Sequence, residues 1–261
     1  FRLFSLRGVF VLTEFAGISH ITPDYRALLE KGADGIIREA KQRLEKEADG
    51  KKRDFYSAVI IALNGLVRFA ERYAEEAERL SLAEEDEKRA QELQVISENC
   101  ALVPRNRPRN LRQALQSIWF THLGMFQENY DNAISIGRAD QYLYPLYTKG
   151  IEAGEMTPED ATELLQCLWI KMSEFVPLFP GDFHRYFSGL LTSQGLCLGG
   201  TDAEGKDATN ELSMLILDSL RDVNTAIPNL FARIHPGTPR QFWTRIYEGI
   251  AKGSPHPSLY N

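Results

Sequence analysis

Residues 127–147, QENYDNAISIGRADQYLYPLY, constrain this chain more than any other stretch. A short β-branched run, Ala133-Ile134-Ser135-Ile136, is closed by Gly137-Arg138 and has helical patterns on both sides, so the unit is helix, strand, turn, helix. Polar side chains crowd around that strand: Glu128, Asn129, Asp131, Asn132, Ser135, Arg138 and Asp140. Polar groups at the ends of a rigid, buried strand are how binding sites are commonly built. The competing reading is a buried strand whose polar neighbours merely cap helices and pair at the surface. Arg138 and Asp140 fit that second reading, as a structural pair holding the strand end.

The rest of the chain repeats the alternation. Further apolar runs of strand length lie near 8–13 (GVFVLT), 194–200 (within TSQGLCLGG) and 229–235 (NLFARIH), in addition to the one at 133–138. Helical periodicity fills the intervals, most densely over 24–127, which we expect to be a helical scaffold. Thr22-Pro23 offers a cap followed by proline for a helix reaching about Ala48, weakened at Gly32 and Gly35. Residues 54–82 and 84–102 predict an antiparallel helix pair joined near Ser81, and Asn110 caps the next helix, 111–127. Between them, Arg105, Arg107 and Arg109 sit among Pro104 and Pro108, a surface loop of salt bridges in preference to an anion site. Thr157-Pro158-Glu159-Asp160 starts a helix to about 175, and amphipathic helices are expected over 208–220 and 241–252. The fold class is therefore α/β, with a mainly parallel inner sheet or part of a barrel, since four strands cannot close one. His20 falls in the loop between the first strand and the first helix.

Composition narrows the function classes. The formal charge of −6 is dispersed, which argues against nucleic acid or an anionic membrane as partner. No apolar run approaches the ~18–20 residues of a membrane span, and a cytoplasmic protein is expected. Cys100, Cys167 and Cys197 have neither disulfide nor metal-ligand spacing, so no metal site is indicated. The sequence begins without methionine and stops at Asn261 after an apolar pair, as would a piece of something longer.

Six collinear stretches together resemble the glycyl radical enzymes, the family of pyruvate formate-lyase and the glycerol, hydroxyproline and choline lyases or dehydratases. They are GISHITPDYRALLEKG from Gly17, NLRQALQSIWFTH from Asn110, NAISIGRADQYLYPLY from Asn132, LWIKMSE from Leu168, FSGLLTSQGLCLGG from Phe187, and residues 228–257. The resemblance implies a ten-stranded α/β barrel of which this chain holds roughly the first half. It also implies radical chemistry: a glycine radical is passed to a cysteine, whose thiyl abstracts a hydrogen atom from a small polar, hydroxylated substrate before elimination or C–C cleavage. In the family that cysteine is followed two positions on by an acidic residue. Here Cys197 is followed by Gly199, Cys167 by Trp169 and Cys100 by Leu102, so the radical cysteine and glycine loops are expected outside this sequence.

By the same resemblance no cofactor is bound during turnover. The glycyl radical is installed by an activating enzyme that uses S-adenosylmethionine and an iron–sulfur cluster, and the full-length protein is expected to be a homodimer. The residues carried over to substrate binding are His20, Asn132, Ser135, Phe187 and Ser193. His20 stands where pyruvate-cleaving relatives carry an arginine and dehydratase relatives a histidine, which favours a hydroxylated or small polar substrate over pyruvate. The alternative is a non-catalytic truncated fragment or assembly partner.

Overall fold

The computed structural model describes residues 20–128, 133–175, 194–254 and 256–260. The strand expected at 8–13 lies outside them. Two compact units divide the chain, Asp24–Gly124 and the remainder.

The first unit is helical. Helix α1 (Tyr25–Lys46) starts at an Asp24 cap, whose carboxylate accepts from Ala27 N at 3.0 Å, two residues later than the Thr22-Pro23 signal suggests. The cause is tertiary: Ile21 is held extended in a parallel bridge to Ile134, so the chain cannot turn helical until it has left that bridge. Gly32 kinks α1 at φ +67°, ψ 167°. There the carbonyls of Pro104 and Arg105 accept from Ala33 N (2.9 Å) and Asp34 N (3.0 Å), so the proline-arginine loop supplies the bonds the kink removes. Arg105 of that loop pairs with Glu71 and with Asp34.

Helices α2 (Gly50–Ala83) and α3 (Glu87–Leu102) form the antiparallel pair. Val67, Ala70, Ala74 and Ala77 make a stripe of small buried residues on α2, which lets α3 approach closely enough for Ser97 Oγ to donate to Ala74 O at 2.9 Å. The apolar residues earlier in α2 do not share this burial, and among the described residues Phe55 and Ile61 are 64% and 72% exposed. Helix α4 (Leu111–Glu128) is capped by Asn110, which accepts from Gln113 N at 3.0 Å. Its His122 and the Tyr25 hydroxyl, both buried, share a 2.9 Å hydrogen bond.

The second unit is built on parallel β structure. Helices α5 (Ala139–Tyr142), α6 (Tyr144–Glu152) and α7 (Pro158–Ser173) precede strand β1 (Gly195–Gly199); α8 (Glu211–Val223), β2 (Asn229–Arg233), α9 (Arg240–Ala251) and β3 (Ser258–Tyr260) follow. A full capping box opens α7 at Thr157 and Asp160, and another opens α8 at Asn210 and Ser213. The strands pair β1-β2-β3, all parallel. Parallel bridges continue the series on the other side, Ile21 to Ile134 and Gly137 to Leu196. Five successive segments of the chain thus lie side by side in sequence order and in one direction. Helix-connected parallel neighbours in sequence order are the pattern of a barrel wall, and this is part of an α/β barrel with a large helical content.

Candidate functional site

Alternation along the strands sorts the two faces of this wall. Ile134, Ile136, Leu196, Leu198, Leu230 and Ala232 are all 0–1% exposed and form the core-facing side. Ser135, Gly195, Cys197, Phe231, Arg233, Ser258 and Tyr260 take the intervening positions, and the side chains among them are half-buried or exposed. Contacts confirm that they share a face. A Cβ on Gly195 would lie 2.6 Å from Ser135 Oγ and 3.3 Å from the Phe231 ring, and the Tyr260 ring stands edge-on to Phe231 at 5.3 Å. Cys197 is the register partner of Phe231, which in turn pairs with Ser258.

At the start of the wall two non-glycine residues hold left-handed backbone, His20 at φ +57° and Ala133 at φ +68°. They flank a paired bridge: Ile21 N donates to Ala133 O at 3.2 Å and Ser135 N donates to Ile21 O at 2.8 Å. Left-handed conformations of this kind each cost about 1–2 kcal/mol and concentrate at sites where a side chain must be aimed. His20 is exposed. Ser135 Oγ accepts from Gly195 N at 3.0 Å, which fixes the oxygen and leaves the hydroxyl proton available for donation. The structure therefore brings the His20 segment and Ser135 onto neighbouring strands. The other residues expected at this site, Asn132, Phe187 and Ser193, lie outside the described residues.

Arg138 and Asp140 form no direct ion pair, a correction to the pairing expected from sequence. Each instead grips the end of β1. The Arg138 guanidinium donates to Gly199 O (2.7 Å) and Thr201 O (3.0 Å), while the Asp140 carboxylate accepts from Gly199 N (2.8 Å) and Ser213 Oγ (2.7 Å). Asp140 is fully buried, and burial pushes its carboxyl above the ordinary range against the opposing pull of those hydrogen bonds and of Arg138. Gly199 and Gly200, at φ +66° and +80°, make the turn that this clamp holds. Beyond it, Asp207 accepts from Thr209 Oγ1 and bonds His235 Nε2 at 3.0 Å, while His235 Nδ1 accepts from Gly237 N. That acceptor role places the imidazole proton on Nε2, facing Asp207.

Phe231, Arg233 and Tyr260 were not singled out in the sequence, and Cys197 was weighed there only to be set aside as the radical cysteine. Their only signal there is strand alternation, which does not say which face is open. Burial, with a smaller contribution from Asp140, raises the Cys197 thiol, so it is no preformed thiolate nucleophile. Burial likewise pushes Cys100 up to about 11. Among the described residues no group of three or more His, Cys, Asp or Glu could hold a metal ion, and no helix is long and apolar enough to cross a membrane. The face offers hydroxyls, an aromatic pair, a protonated thiol and one guanidinium, which suits holding a small polar molecule.

Residues 5–261 match the model of the pyruvate formate lyase-like family. The isethionate sulfite-lyase of Oleidesulfovibrio alaskensis is 35% identical over 246 residues, covering 91% of this chain and 30% of that enzyme. Among solved structures, a glycyl radical enzyme from Archaeoglobus fulgidus superposes with a TM-score of 0.87 at 37% identity, over 99% of this chain and 35% of that one. The glycerol-bound form of the B12-independent glycerol dehydratase from Clostridium butyricum gives 0.89 at 34% identity, over 94% and 31%. The chain spans about 30% of the length of the curated relatives it matches.

Proposed function

The chain belongs to the pyruvate formate lyase-like family, the glycyl radical enzymes, and on that footing we propose that it forms one wall of the substrate pocket of a radical lyase or dehydratase. The reaction begins when a thiyl radical, carried by residues outside this sequence, takes a hydrogen atom from a substrate carbon to form S–H. Elimination of a neighbouring group or C–C cleavage follows, and the resulting product radical takes the hydrogen atom back from S–H, which restores the thiyl. The substrate is a small hydroxylated molecule, within the range marked out by relatives named for isethionate and glycerol. His20, Asn132, Ser135, Phe187 and Ser193 are its contacts on this wall. The imidazole at position 20 exchanges one hydrogen bond with a hydroxyl, and Ser135, anchored by Gly195 N, donates its own proton.

The observation that carries this reading is the pair of left-handed residues, His20 and Ala133, which flank the Ile21–Ile134 bridge next to the segment that carries Ser135. The full-length protein is then a cytoplasmic homodimer, activated by a partner that uses S-adenosylmethionine and an iron–sulfur cluster. The test is anaerobic activation of the full-length protein with that partner, followed by a screen of hydroxylated substrates. A glycyl radical signal with turnover of at least one such substrate is expected. His20→Ala should raise KM by about tenfold or more for loss of one polar contact, with the radical yield unchanged. Failure to form the radical, or turnover indifferent to His20, would refute the proposal.

A further inference from the structure

Arg233 and Tyr260 are register partners on β2 and β3, on the same face as Phe231 and one row beyond Cys197. In the neighbouring position on β1 stands Gly199, which has no side chain. The Arg233 stem is seated rather than loose. A Cβ on Gly200 would fall 3.0 Å from Arg233 Cβ and 3.3 Å from its Nε, so the aliphatic chain lies along bare glycine backbone. Arg233 as a whole is nevertheless exposed, and among the described residues it makes no ion pair, nor does the 56% exposed Tyr260 donate its hydroxyl to a protein acceptor. The carboxylates at this end of the wall are already committed, Asp140 to Gly199 N and Ser213, Asp207 to His235 and Thr209.

A seated guanidinium whose register partner is a tyrosine, next to a strand end without side chains, offers a fork of donors to a small oxyanion. It also lies at the carboxyl end of parallel strands, where α/β folds place their ligands. We propose that Arg233, assisted by Tyr260, binds an anionic oxygen group, a carboxylate or sulfonate, on the substrate. This deepens the proposed function and rests on it: the substrate is then a small hydroxylated acid rather than a neutral polyol.

The probe is methanesulfonate, an oxyanion that cannot react, titrated by ligand-observed NMR into the full-length protein before activation. Saturable binding is expected, weakened about tenfold or more by Arg233→Gln, less by Arg233→Lys, and not at all by Arg72→Gln on α2. Near-UV circular dichroism confirms that each variant is folded, and the lysine variant keeps stem and charge should glutamine disturb β2. In the activated enzyme, a hydroxy acid such as glycerate should be preferred over glycerol, with Arg233→Lys raising KM for the acid alone. Absence of saturable binding, or equal binding by wild type and Arg233→Gln, overturns the inference, as would occupation of Arg233 by a carboxylate from another part of the protein. The two readings fail separately: methanesulfonate binding without any turnover removes the radical lyase and keeps the anion site, whereas turnover of glycerol without methanesulfonate binding does the reverse.

Discussion

Asp140→Ala isolates what holds the end of β1. The wild-type carboxylate accepts two hydrogen bonds, from Gly199 N and Ser213 Oγ, in a fully buried position. Alanine leaves the Gly199 N–H buried without an acceptor, a desolvation cost of about 1–3 kcal/mol. Ser213 loses less, because Asn210 Oδ1 lies 3.3 Å from its hydroxyl and can take the proton. Adding a small cavity gives a total of ~2–4 kcal/mol. Asp140→Asn keeps an acceptor for both donors and removes a buried charge, so its cost is about 1 kcal/mol or less. Urea unfolding midpoints measure the difference, and hydrogen exchange at the Gly199 amide localises it, with faster exchange in the alanine variant only. Because burial raises the folded-state carboxyl, the wild type is favoured below the ordinary aspartate range and loses that advantage as pH rises through the folded value. The asparagine variant should therefore gain on the wild type as pH rises above the ordinary aspartate range. Equal destabilisation by alanine and asparagine, or an alanine cost below about 0.5 kcal/mol, would refute the acceptor argument.

Gly32→Ala should destabilise by about 3 kcal/mol or more, read as a fall in thermal midpoint, because its Cβ would meet Arg105 O at 2.6 Å and Asn106 C at 2.6 Å in a backbone region open only to glycine. A loss under ~1 kcal/mol would mean that the loop moves aside at little cost. Cysteine alkylation followed by mass spectrometry should label exposed Cys167 first, with Cys197 and buried Cys100 slow because burial raises both thiols. Rapid labelling of Cys197 would contradict that burial.

The sequence determined the pieces whose cause is local. Thr157 with Asp160 specifies a helix start because cap and partner lie three residues apart, and Asn110 does the same for α4. The β-branched run near 134 and the short apolar runs near 196 and 231 carry strand character in their own residues, and the glycine at 32 announces a weak point in α1. The three-dimensional arrangement decided everything that depends on distant partners. Asp24 replaced Thr22 as the cap because Ile21 pairs with Ile134, more than a hundred positions away. Arg138 and Asp140, two residues apart, do not pair with each other because Gly199, about sixty residues on, offers each a better partner. Which face of the wall is open, and hence that Ser135, Phe231, Arg233 and Tyr260 share it, follows from register. Period-two alternation fixes only that one face differs from the other, and hydrogen-bonded pairing across long crossovers chooses the neighbours.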